Sequence, residues 1–149
     1  MADTDLIKLY SGRILELASD IPLTDRLSRP DATIKKRSPL CGSSVTVDVE
    51  LVDGQISAFG QDVKACALGQ ASASIFAAHV VGQNAEAIEK ARTELRAMLK
   101  EGGPAPSTPF DGYEVLIPAR DFKNRHDSIM LVMDATLEAV KQAAASDCA

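Results

Sequence analysis

Three thiols and two imidazoles are the side chains of this sequence best suited to bind a metal ion or to act as nucleophiles. They belong to Cys41, Cys66, Cys148, His79 and His126. Two thiolates do not complete a tetrahedral metal site, so Cys41 and Cys66 would need nitrogen or oxygen donors beside them. Cys148 lies next to the last residue, and we expect it to play no part. For the other two thiols three roles stay open: burial without a function, a disulfide, or a metal or cluster site.

The stretch between Cys41 and Cys66 predicts a β-hairpin. Apolar and polar residues alternate over 45–51, which is typical of a strand with one buried face. Asp53 and Gly54 follow, a pair that favours the type I′ turn of a two-residue hairpin loop.

The predicted turn also sets which residues face each other across the hairpin. It places Val49 opposite Ala58, and the same register continued outward places Cys41 opposite Cys66. Directly opposed residues in an antiparallel pair have Cβ atoms roughly 4.5–5.5 Å apart. We therefore expect the two thiols to meet at the open end of the hairpin.

Further donors for such a site are predicted at the start of the last helix. His126 and Asp127 begin that helix and could complete a ligand set with the two thiols. An acidic residue there is also typical of a helix cap or dipole partner, and this role stays open for Asp127. Cys66 begins a helix rich in small residues, where the helix N-terminus favours the thiolate. His79 lies within that helix among apolar residues, and we expect it in the core or partly exposed.

These residues must be positioned by a small domain in which helices pack on a sheet. A short edge strand is predicted over 31–37, and Gly- and Pro-rich residues 102–112 predict a loop. Helices are predicted over 5–18, from residue 65 to about residue 80, from the capping residue Asn84 to about Lys100, and over 124–145. This order indicates an α+β fold in which N-terminal and C-terminal helices cover one face of a small antiparallel sheet of about three strands.

Length and composition restrict the class of protein. The 149 residues suit one domain, 1–149, and 46% hydrophobic with 25% charged residues excludes wholesale disorder. A net charge of −5 disfavours an electrostatic nucleic-acid binder. The apolar runs are too short to span a membrane, the first residues do not resemble a signal peptide, and we expect a cytoplasmic protein.

The layout resembles the U-type iron–sulfur cluster assembly scaffolds, the family of NifU N-terminal domains. The resemblance extends over about residues 5–140. The motifs that carry it are Ile7 to Tyr10 in the first helix, Cys41-Gly42-Ser43 at the start of a strand, Cys66 followed by small residues, and Arg125-His126-Asp127-Ser128-Ile129 at the start of the last helix.

Two positions depart from the family's pattern. Ser43 stands where the family has the Asp of a Cys-Gly-Asp motif. The family's third Cys is missing, and either Asp127 or Ser128 occupies its place. In the family, three thiolates and an accessory Asp or His hold a nascent cluster or a zinc ion. The resemblance therefore implies a site of Cys41 and Cys66 with His126 and Asp127 as candidate further ligands.

The resemblance implies a scaffold or carrier rather than an enzyme. Its cargo would be iron, a transient iron–sulfur cluster or zinc, and its partners a cysteine desulfurase and cluster-acceptor proteins. Sulfurtransferase activity stays open, because the third Cys receives sulfur in the family. The alternative is a degenerate scaffold fold that serves as a non-catalytic binding module or an accessory subunit of a larger complex.

Overall fold

The computed structural model describes residues 12–39 and 42–147, and they form a three-stranded antiparallel sheet with helices. The strands are β1 (Ala32–Arg37), β2 (Ser44–Val52) and β3 (Gln55–Lys64). The α-helices are α1 (Gly12–Ser19), α2 (Ala67–Ala77), α3 (Ala85–Lys100) and α4 (His126–Asp147), and 3₁₀ helices over Asp111–Asp121 and Lys123–Arg125 precede α4. The predicted α+β class is confirmed, and the part of the first predicted helix before residue 12 lies outside the described residues.

The last helix, α4, covers one face of the sheet. It packs on β1 and β2 and also contacts α2 and α3. The alternating valines of β2 that face it are fully buried, as are the residues at helical spacing on its inner side. These residues are Val45, Val47 and Val49 of β2, and Ile129, Val132, Thr136 and Val140 of α4. The first helix, α1, packs mainly against α2.

The connector between α1 and β1 crosses the other face of the sheet. A Cβ on Gly60 of β3 would lie 2.5 Å from the Asp25 carbonyl oxygen, so only glycine lets the two backbones approach this closely. The buried Asp48 carboxylate holds the connector by accepting hydrogen bonds from the Arg26 guanidinium and the Leu27 amide. Thr33 of β1 donates a further bond to this carboxylate.

The hairpin turn has the predicted type, and the predicted register is confirmed next to it, where Leu51 faces Ile56, but is wrong by one residue from Glu50 onward. Asp53 and Gly54 both have positive φ, at 54° and 80°, as a type I′ turn requires. A β-bulge then inserts Ser57 as an extra residue in β3, so Val49 faces Phe59 instead of the predicted Ala58.

The bulge changes what lies opposite the thiols. The ladder ends at the pair Ser44–Lys64, two residues before Cys66, and the shifted register continued outward would place Gly42 opposite Cys66. The register that predicted this pairing therefore does not hold. Cys41 itself lies outside the described residues, and its meeting with Cys66 stays a prediction.

The remaining helices follow the predicted boundaries closely. The Asn84 side chain accepts a 2.8 Å hydrogen bond from the Ala87 amide and caps α3, as its position before the helix predicts. The predicted loop over 102–112 overlaps the start of the long 3₁₀ helix, which the sequence did not indicate. None of the helices in the described ranges is long and apolar enough to span a membrane.

Candidate functional site

Cys66 lies at the junction between β3 and α2, where the sheet ladder has just ended. It is the N-cap residue of α2 and is half-buried. One turn into the helix, Gly69 faces α4 so closely that a Cβ there would lie 2.5 Å from Ser128 Oγ. The missing side chain at this position therefore allows the start of α4 to reach the thiol.

One buried serine hydroxyl stands beside the Cys66 thiol, and a second serine contacts the first. Ser128 Oγ lies 3.6 Å from Cys66 Sγ and 2.9 Å from Ser43 Oγ. Both serines are buried, with 1% and 3% of their surface exposed. Of the two residues that could occupy the place of a third thiol, Ser128 is the one that contacts Cys66, whereas Asp127 is exposed.

The surroundings of Cys66 favour its ionised form. Burial raises the pKa of the thiol, but hydrogen bonding outweighs it, and the pKa is lowered overall. The groups that stabilise the thiolate are the backbone amides of Gly69 and Leu68, the Ser128 hydroxyl and the Arg125 guanidinium. The amides belong to the first turn of α2, whose dipole acts in the same direction. A thiolate is both the nucleophilic form of cysteine and the form that binds soft metal ions.

His126 is buried beside a different part of the chain. Its Nε2 lies 3.0 Å from the Ala119 carbonyl oxygen and 3.1 Å from that of Arg120, so Nε2 carries a proton that it donates to them. His126 and Ser128 are two residues apart on α4, about 200° around the helix axis, so they occupy different faces. The ring borders a cavity of about 460 Å³ lined also by Lys100 and Arg120.

The described residues therefore do not bring the predicted ligand set together. Within the described ranges, Cys66 is not grouped with two further His, Cys, Asp or Glu side chains. His126 and Asp127 stay predictions as ligands, and so does Cys41, which lies outside the described residues. His79 is exposed just beyond the end of α2, as one of the two expected placements allowed.

Two residues of the site were not foreseen from the sequence. Gly69 follows Cys66 by three residues, a spacing that places it on the same side of α2 as the cap. Arg125 precedes Ser128 by three residues, so the two lie on the same side of the helical segment that leads into α4. Both spacings are visible in the sequence, but their meaning depends on the packing of α2 against α4.

Solved structures of other proteins share this architecture. A NifU-like N-terminal domain protein from Brucella abortus is 41% identical, with a TM-score of 0.91 over 95% of this chain and 98% of that one. A protein described as an iron–sulfur cluster assembly scaffold for the SUF system of Fervidobacterium islandicum AW-1 is 14% identical, with a TM-score of 0.79 over 90% and 98% of the two chains. This second likeness concerns the fold alone. No protein-family model and no curated protein matches the sequence.

Proposed function

The chain belongs to the family of NifU-like N-terminal domains, and on this premise we propose that it is a scaffold or carrier for iron–sulfur cluster assembly rather than an enzyme. The observation that carries the proposal is the lowered pKa of the Cys66 thiol at the start of α2, which favours the thiolate form. Its cargo would be iron, a transient iron–sulfur cluster or zinc. The sulfur would come from a cysteine desulfurase, and acceptor proteins would take the cargo, in the cytoplasm.

The donor atoms around Cys66 suit a loosely held cargo. Cys66 supplies a soft thiolate, and Cys41 is the predicted second one. Ser43 and Ser128 contribute neutral hydroxyls that are hydrogen-bonded to each other and are poor ligands for the metals that thiolates prefer. With two thiolates instead of three, iron or a cluster should be bound more weakly and released more readily than in relatives that keep the third Cys. His126 and Asp127 stay candidates for the remaining positions.

Anaerobic reconstitution tests this function. The wild-type protein is incubated with ferrous iron and sulfide, desalted, and analysed for bound iron, acid-labile sulfide and visible absorption. C66S should lose the bound iron and the absorption, whereas C148S, a matched Cys-to-Ser change near the end of the chain, should keep both. Equal loading of wild type and C66S, or no loading of either, would contradict the proposal.

A second candidate function is favoured by the contact between Ser43 and Ser128. Two buried hydroxyls that satisfy each other leave little reason for a metal in that part of the site. The chain would then be a degenerate scaffold that serves as a binding module or an accessory subunit of a larger complex. Under this alternative, C41A/C66A retains full function and copurifies with its partner as the wild type does. Loss of function in that double variant excludes the alternative.

Sulfur acceptance is a separate question within the first function. Cys66 is the described thiol with the lowered pKa that attack on a desulfurase persulfide requires. Mass spectrometry after incubation with a cysteine desulfurase and cysteine would show one added sulfur atom on wild type and on C148S. If C66S gains the same mass, sulfur is accepted elsewhere and Cys66 is not the acceptor.

A further inference from the structure

A cavity lies between the end of α3 and the helical segment that leads into α4. Its volume is about 460 Å³, and it is lined by Leu99, Lys100, Gly102, Arg120, Lys123 and His126. Pockets of about 300–1,000 Å³ are typical of small-molecule sites in proteins. His126 lies on a different face of the chain from Ser128, which contacts the Cys66 thiol. The cavity is therefore separate from the cargo site proposed at Cys66.

The Arg120 guanidinium is fixed at the wall of this cavity. Its Nε donates a 2.7 Å hydrogen bond to the Met98 carbonyl oxygen, and its Nη2 donates a 2.8 Å bond to that of Gly103. The backbone carbonyl of Arg120 accepts in turn from His126 Nε2 at 3.1 Å. The guanidinium has more N–H donors than these bonds use, and the pair on Nη1 and Nη2 can bind an oxyanion with parallel hydrogen bonds. Because the side chain is already ordered, such binding costs less conformational entropy.

Lys100 and Lys123 add positive charge to the same cavity. Both side chains are exposed, and none of the three cations forms an ion pair within the described residues. No described carboxylate lines the cavity. The nearest acids in the sequence have exposed side chains, whose charge the solvent screens; they are Glu101, Asp121 and Asp127. The end of α3 contributes only about half a negative charge, so the cavity stays positive.

Three cations around one cavity suit a ligand that carries several negative charges on oxygen atoms. An anion with a single charge would engage the Arg120 guanidinium alone, whereas a diphosphate or a tricarboxylate can meet the lysine charges as well. We infer that this cavity binds a small multivalent oxyanion. The inference goes beyond the proposed function, because it concerns a different part of the chain and needs no cargo at Cys66.

Isothermal titration calorimetry of the purified protein with pyrophosphate, and separately with citrate, tests this site. Salt of about 0.15 M screens long-range attraction, so binding that persists there reports a specific site. We expect saturable binding, and the anion that binds more tightly identifies the chemistry as phosphate or carboxylate. K100Q/K123Q should bind it about tenfold more weakly, since both lysine charges are lost. K35Q/K90Q removes the same charge at exposed positions that do not line the cavity, and it should bind as the wild type does.

Amide chemical shifts locate the bound anion on the wild-type protein, and they should change around residues 100–102 and 120–123. C66S should bind the anion as the wild type does, which excludes a metal ion at the thiol as the group that holds it. The inference is overturned if neither anion binds, if K100Q/K123Q keeps wild-type affinity, or if K35Q/K90Q loses as much. Shifts that gather around Cys66 instead would also overturn it. Thermal melting confirms that the variants are folded, and the shift mapping needs no variant.

Discussion

Replacing Gly69 by Ala should destabilise the protein although it adds a better helix former. In an open helix the change from Gly to Ala gains about 1 kcal/mol. Here the new Cβ would lie 2.5 Å from Ser128 Oγ and 2.7 Å from Ala65 Cβ, distances at which the neighbours must move. Overpacking of this kind costs about 1–3 kcal/mol. Displacing the Ser128 hydroxyl also breaks its buried hydrogen bond to Ser43, at about 1–3 kcal/mol.

The net expectation is a loss of about 3 kcal/mol in the free energy of unfolding for G69A, measured by urea denaturation. G12A is the matched control, because a Cβ on Gly12 of α1 meets no atom of the described residues within 4 Å. G12A should be as stable as wild type or slightly more so. S128A in the G69A background should recover part of the loss, since the closest atom is removed. A G69A protein as stable as G12A would refute the close packing of α2 against α4 at the thiol.

Three further predictions concern the Asp48 carboxylate, the Cys66 thiolate and the position of the missing third thiol. The pKa of Asp48 is lowered because the hydrogen bonds from Arg26, Thr33 and Leu27 outweigh the burial that raises it. The contribution of this carboxylate to stability is therefore present above its pKa in the unfolded chain and is lost as the pH falls through its pKa in the folded protein. D48N should lose about 1–3 kcal/mol in the free energy of unfolding at neutral pH, and its stability should depend less on acid pH. In a C41S/C148S background, Cys66 should be alkylated with an apparent pKa below that of a free thiol, and R125Q should raise it; identical profiles would contradict the role of the guanidinium. S128C places a thiol beside Cys66 and should bind ferrous iron more tightly than S128A, and equal affinities would show that this position does not face the cargo.

Much of the fold could be predicted from local patterns, because the signals are confined to short segments. The alternation in β2, the positive-φ pair Asp53–Gly54 and the Asn84 cap each depend on a few neighbouring residues, and all three appear as expected. The bulge at Ser57 could not be predicted, since no glycine or proline marks it. The 3₁₀ helix Asp111–Asp121 depends on packing against distant elements rather than on local periodicity.

The site was predicted in part for the same reason. The position of Cys66 at the start of a helix follows from the small residues after it, and the structure places it there as the N-cap of α2. The serine contacts depend on how α4 packs across α2, and so does the placement of His126 away from Ser128. Sequence spacing alone could not decide whether Asp127 or Ser128 takes the place of the third thiol. Adjacent side chains of a helix differ in direction by only about 100° around its axis.

The central claim is that Cys66 is a ligand of the cargo. X-ray absorption at the iron edge tests it most directly, with ferrous iron added in the absence of sulfide so that any sulfur neighbour must come from the protein. Wild type and C148S should both show sulfur in the first coordination shell of the iron, and C66S should lose sulfur from that shell. A first shell of oxygen and nitrogen alone in the wild-type protein, or unchanged sulfur scattering in C66S, would contradict the claim.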